Sequence, residues 1–164
     1  MALLPCDRTT LTARPPREAP AAREVAEGIE NLRKRLASFG LTAVPVAGDG
    51  SCQFRSLSYA LWGGEEQHAD VRRAICDHLE QERSFYEVFV DEETWESYIG
   101  RMRGNGWGDH LTLQAFADVY QRPVHLVTSY EDRGFIQIGP ASRSAGDPLL
   151  IGFWAEVHYN PLEF

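Results

Sequence analysis

The sequence predicts an α+β domain, with helices along most of the chain and strands at its end. Two observations carry that prediction. Apolar residues recur at three- and four-residue spacing from about position 25 to about position 120. From Pro123 onward the period changes to short apolar runs separated by turns. Helices followed by strands build an α+β fold rather than an alternating one, and no internal repeat competes with that reading.

The elements follow in order. Residues 1–20 hold four of the nine prolines (Pro5, Pro15, Pro16, Pro20) and little that could pack, so they read as a mobile tail. The folded domain is expected over 21–164, as an N-terminal helix at 21–40 and a core at 44–164. Val25, Ile29, Leu32, Leu36 and Phe39 step by four, three, four and three, and Gly40 ends that helix. Val44-Pro45-Val46 leads extended into a glycine-rich turn. Phe54, Leu57, Leu61 and Trp62 then mark a helix that begins at Cys52, and Val71, Ile75 and Leu79 mark the next. A further helix carries Trp95, Ile99 and Met102. Gly104-Asn105-Gly106-Trp107-Gly108 is a loop, and Thr112 can cap a helix bearing Leu113, Phe116, Ala117 and Tyr120. Strands are expected at 124–127, 135–138, 149–154 and 157–159, with turns at 131–134 and 142–147.

At 164 residues, 43% hydrophobic, with four Trp, six Tyr and eight Phe, the chain can close one real core. A formal net charge of −8 would repel a phosphate backbone, which argues against nucleic acid and for a basic protein partner. Three cysteines, an odd number, speak against a disulfide framework and for a reducing compartment. No apolar run approaches the length of a membrane span, and Pro5 interrupts the start before a signal-peptide core could form. Arg8, Arg14, Arg17 and Arg23 faintly suggest an organelle transit peptide, against which stand Asp7, Glu18 and the prolines. A monomer in the cytoplasm is expected, with the nucleus as the alternative.

The chemistry concentrates at Gly48-Asp49-Gly50-Ser51-Cys52. Two glycines just upstream of the cysteine allow close backbone approach, and a helix begins at the cysteine itself. A thiol there meets the positive end of the helix dipole and unpaired N–H groups, so its pKa is expected to fall. The same amides could form an oxyanion hole. A buried, inert cysteine is the usual fate of that residue, and Cys6 and Cys76 keep it.

Five histidines invite the same sorting. His68, His78 and His110 fall on polar or helical stretches and read as solvated or locally bonded, and His125 as a satisfied core residue in an apolar strand. His158 differs, because Asn160 stands two residues on and strand alternation puts both side chains on one face. An amide oxygen there can fix the imidazole tautomer so that the other nitrogen faces a thiol. No metal is expected: Cys-x-x-Cys and His-Glu-x-x-His are absent, and Cys76-Asp77-His78 alone cannot close a site. The Gly104–Gly108 loop follows a helix and holds Trp107 in its middle, unlike a phosphate cradle. Trp107 either anchors the loop on the core or shapes a substrate groove, and both readings stay open.

Three blocks, 49–55, 107–115 and 153–160, resemble the ovarian-tumour (OTU) family of cysteine deubiquitinases, in the right order and with coverage from about Val44 to the end. The last two are particularly similar to its plant and protist branch. The resemblance implies a papain-like fold, a small central, mostly antiparallel sheet between helical layers, with the nucleophile at the start of the central helix. It implies hydrolysis of the glycyl bond at the C-terminus of ubiquitin, usually an isopeptide to lysine, with no cofactor. In that scheme Cys52 attacks, His158 is general base and then acid, and Asn160 orients His158. Asp49 shapes the turn and helps build the oxyanion hole, and whether it also polarises His158 is open. Ubiquitin or polyubiquitin is the implied partner, recognised mainly by the catalytic domain, since no appended ubiquitin-binding motif is read. Cleavage of another ubiquitin-like modifier would use the same chemistry. A catalytically weak ubiquitin-binding module is the other alternative, although Cys52 and His158 are both retained.

Overall fold

The computed structural model describes residues 21–142 and 146–164. The expected N-terminal tail and part of the expected 142–147 turn lie outside the described residues. The described residues form six α-helices and five strands: the five expected helices and four expected strands in the predicted order, with α4 and β1 in addition. The helices are α1 (Ala22–Ser38), α2 (Cys52–Trp62), α3 (His68–Gln81), α4 (Arg83–Tyr86), α5 (Trp95–Arg103) and α6 (His110–Tyr120). The strands are β1 (Thr42–Ala43), β2 (Val124–Thr128), β3 (Phe135–Ile138), β4 (Leu149–Trp154) and β5 (His158–Glu163). They form one sheet in the order β1-β5-β4-β2-β3. Only the β2–β4 pairing is parallel.

Alternation along β4 divides the interior in two. Leu149 and Ile151 face α2, α3, α5 and α6, where Phe54, Leu57, Ile75, Leu79, Met102 and Phe116 are fully buried. Leu150 and Trp154 face the other way, toward Leu32 and Leu36 of α1, with Val127 and Leu162 from neighbouring strands. The Trp154 indole N–H donates to the Val25 carbonyl at 3.0 Å and ties α1 to the sheet. The sheet therefore lies between helical layers, as expected.

Three local differences have physical reasons. The expected extended segment at 44–46 is preceded by the actual strand, Thr42–Ala43, whose ladder to β5 ends with the Val44 N–H donating to the Pro161 carbonyl at 2.9 Å. Proline cannot donate in return, so the pairing stops there. β5 continues four residues past the expected end at Tyr159, because Pro161 sits where that missing donor is tolerated and Leu162 still packs against α1. The cap of α6 is Asp109 rather than Thr112. Its Oδ1 accepts from the N–H groups of Leu111 and Thr112, while the Thr112 hydroxyl accepts from the Asp109 N–H.

Candidate active site

Gly50 has φ +82°, a left-handed conformation that suits glycine. It is also closely approached: a β-carbon there would lie 3.1 Å from the Asn105 carbonyl oxygen and 3.3 Å from the Trp107 Nε1. The turn is fastened by Asp49, whose Oδ1 accepts from the Ser51 N–H at 3.1 Å. Arg55, one turn into α2, donates to both oxygens of that carboxylate at 3.1 and 2.6 Å. This guanidinium holds the Asp49 carboxyl well below the usual carboxylate range. Arg55 also reaches Glu65 at 3.6 Å.

Cys52 opens α2 and is only 5% exposed. Burial pushes its thiol pKa up, opposite to the expectation from the helix start. The backbone N–H groups of Tyr159, Gln53 and Cys52 pull it down, and the Asp49 carboxylate pushes it up. Desolvation of a thiolate outweighs the amides. The balance of these effects favours the protonated thiol.

The candidate residues His158 and Asn160 lie on β5. His158 pairs across the ladder with Trp154 and Asn160 with Gly152, so both side chains share one face. Tyr159 points to the opposite face and stacks on Phe153 at 4.4 Å. Since the Pro161 carbonyl points toward β1, the polar groups of Tyr159, two residues earlier, point along the same edge, beyond the end of β1. Its N–H is thus free to face the Cys52 thiol, which brings the nucleophile one residue from His158. Burial lowers the His158 pKa and favours neutral imidazole. Among the described residues no hydrogen bond holds the His158 ring. Asn160 donates through Nδ2 to the Val44 carbonyl at 2.9 Å, in the place where Pro161 has no N–H to offer. The Asp49 carboxylate faces Arg55.

The second sequence block braces the first. Gln53, 1% exposed, donates from Nε2 to the Asp109 carbonyl at 3.1 Å and accepts from the Thr112 hydroxyl at 2.6 Å. Gly108 makes room: a β-carbon there would overlap the Gln53 side-chain amide. Trp107, the candidate substrate residue, is 54% exposed with its indole edge over Gly50. It is a surface residue beside the nucleophile turn rather than a buried anchor. Sequence reading missed the contacts of Gln53 and Arg55. Arg55 had a local signal, six residues after Asp49, whereas Gln53 is fixed by distant partners.

The remaining candidates sort as follows. His125 is half-buried edge-on to Phe135, with ring centroids 5.2 Å apart. His68 Nδ1 bonds the Glu65 carbonyl at 2.8 Å, and His78 lies 3.9 Å from Asp118. His110 departs from expectation, since its Nε2 is buried without a partner among the described residues. Cys76 is fully buried, and Cys6 lies outside the described residues. No group of three or more His, Cys, Asp or Glu among the described residues could hold a metal ion.

Residues 47–159 match the family model described as OTU-like cysteine protease. The ovarian tumor domain-containing deubiquitinating enzyme 11 of Arabidopsis thaliana is 39% identical over 92% of this chain and 62% of its own length. Enzyme 10 of the same plant is 40% identical over 88% of this chain and 41% of its own length. The chain thus spans about half the length of these curated relatives. Among solved structures, the OTU domain of OTUD1 superposes with a TM-score of 0.71 at 15% identity, covering 87% of this chain and 98% of that one. An OTU domain in complex with ubiquitin gives 0.62 at 16% identity, covering 74% and 69%. At such identities the likeness is one of fold.

Proposed function

We infer, from the premise that this chain belongs to the OTU-like cysteine protease family, that it is a deubiquitinating enzyme that hydrolyses bonds to the C-terminal glycine of ubiquitin. The observation that carries the reading is the approach of Cys52, at the start of α2, to the backbone of β5 beside His158. The plant relatives named as deubiquitinating enzymes and the ubiquitin complex of a related fold support the substrate.

His158, neutral at rest, takes the Cys52 proton as sulfur attacks the glycyl carbonyl carbon. The oxygen that gains charge is met by amides at the α2 start, held in position by the Asp49 turn. The tetrahedral species collapses, the C–N bond breaks, and His158 returns the proton to the leaving lysine amine. Water, deprotonated by His158, then attacks the thioester and frees the glycyl carboxylate and the thiol. Asn160 restrains the His158 side of the site. The exposed Trp107 indole beside Gly50 lines the path of the extended substrate tail. A charge of −8 suits a basic tail. The reducing cytosol suits a nucleophile that must stay a free thiol, as must Cys76.

The test is a panel of ubiquitin and ubiquitin-like proteins carrying a C-terminal electrophile. Ubiquitin should form a one-to-one adduct located at Cys52 by mass spectrometry, absent in Cys52→Ala. Reaction with a different modifier alone would transfer the substrate assignment, and no adduct with any would overturn the reading.

A further inference from the structure

Arg72 on α3 is a cation in an unusual place. Only 7% of it is exposed, and its guanidinium lies over the Phe54 ring, 3.9 Å from the centroid. One terminal nitrogen donates to the carbonyls of Met102 and Gly106, both at 2.8 Å. The other donates to the Ser51 hydroxyl at 3.1 Å. Among the described residues no carboxylate forms an ion pair with it. The Met102 carbonyl belongs to the last turn of α5, the negative end of that helix dipole, which partly offsets the buried charge.

These partners are the two sides of the candidate site. Ser51 directly precedes the nucleophile and stands at the N-cap position of α2, yet its hydroxyl makes no cap bond. Gly106 directly precedes Trp107, whose indole edge lies over Gly50. We propose that Arg72 is a positioning residue, a buried guanidinium that locks the Cys52 turn and the Trp107 loop in one fixed relation. This rests on the function proposed above. Only a planar fork can stack on Phe54 while reaching three acceptors in different directions, so lysine is no equivalent. A misplaced nucleophile or loop costs rate steeply, because attack tolerates little displacement.

The test uses Arg72→Lys and Ser51→Ala, read by kcat and KM on a ubiquitin substrate, by the rate of Cys52 alkylation with iodoacetamide, and by thermal unfolding. Arg72→Lys should lower kcat by roughly tenfold or more and raise KM, with an altered alkylation rate in the folded protein. Ser51→Ala cuts only the link to the nucleophile turn, so kcat should fall several-fold while KM and the unfolding midpoint stay. Folded Arg72→Lys with wild-type kcat, KM and alkylation would overturn the proposal. If that variant does not fold, Ser51→Ala decides: unchanged kcat and alkylation would overturn it as well. Should the wild type fail to process ubiquitin, the proposed function falls, and the alkylation rates of the two variants still judge Arg72.

Discussion

The backbone N–H of Tyr159 faces the Cys52 thiol across the edge that β1 leaves open. The relationship joins Cys52 to the strand of His158 through main chain, where a side-chain substitution cannot remove it. It also limits what the helix start achieves. Three amides draw the thiol pKa down, yet burial keeps it above the ordinary value. Under the function proposed above, these directions favour a resting pair of thiol and neutral imidazole, with the thiolate forming as substrate is attacked.

Of the two cysteines in the described residues, Cys52 should be alkylated first. Cys76 is fully buried, and burial pushes its thiol up to about 11 with no amide to offset it. Iodoacetamide followed by peptide mass spectrometry should show inactivation tracking the Cys52 adduct, with a rate that climbs as pH rises. Equal labelling of both sites would contradict the difference in environment.

The pH profile should have its acid limb low. Protonating His158 removes the base, so activity falls as pH drops through its pKa, and burial sets that pKa below the ordinary 6.5. Asp49 stays ionised throughout this range because Arg55 holds it. A plot of kcat/KM should therefore show a midpoint below 6.5 and unit slope. A midpoint above 6.5 would mean that a resting imidazolium–thiolate pair is stabilised instead.

Local chemistry was legible in the sequence, and what depends on distant packing was not. Gly-Asp-Gly-Ser-Cys and His-Tyr-Asn each declare themselves within a few residues, because a sharp turn and strand alternation are local. Helices α1 to α3 follow from apolar spacing alone. The direction of the Cys52 pKa was read wrongly because the helix start is local while desolvation comes from the burial of the whole turn. The partner of Asn160 was invisible because it depends on β1 reaching β5 at the one residue without an N–H. Arg72 carries no local signal, because its three acceptors lie on Ser51, Met102 and Gly106, far from it in the chain.

Gly108→Ala should damage the site from outside it. The added methyl would overlap the Gln53 amide, which cannot move without losing the Asp109 carbonyl and the Thr112 hydroxyl. Overpacking of this kind costs about 1–3 kcal/mol. For a chain of this size that is roughly 2–4 °C of unfolding midpoint per kcal/mol. Calorimetry should show the loss together with reduced kcat, because Gln53 is the residue after the nucleophile. An unchanged midpoint would mean the contact relaxes freely.

The supporting residues should grade in a definite order. His158→Ala should be nearly as damaging as Cys52→Ala, since nothing else in the described site can carry the proton to the leaving amine. Asn160→Ala should lose on the order of ten- to a hundredfold, or about 1.4–2.7 kcal/mol of transition-state stabilisation. Part of that comes from the Val44 carbonyl, which loses the Asn160 amide donor. Asn160→Asp keeps the side-chain volume but sets a carboxylate oxygen against the Val44 carbonyl, so it too should be impaired. Asp49→Ala should exceed Asn160→Ala, because it releases both the Ser51 N–H and Arg55, and a misplaced oxyanion amide costs about 3 kcal/mol. Values of kcat/KM for the five variants, with unfolding midpoints alongside, decide the order. A fully active Asn160→Asp would show that the Val44 anchor is dispensable, and a fully active Asn160→Ala would mean that packing alone holds His158.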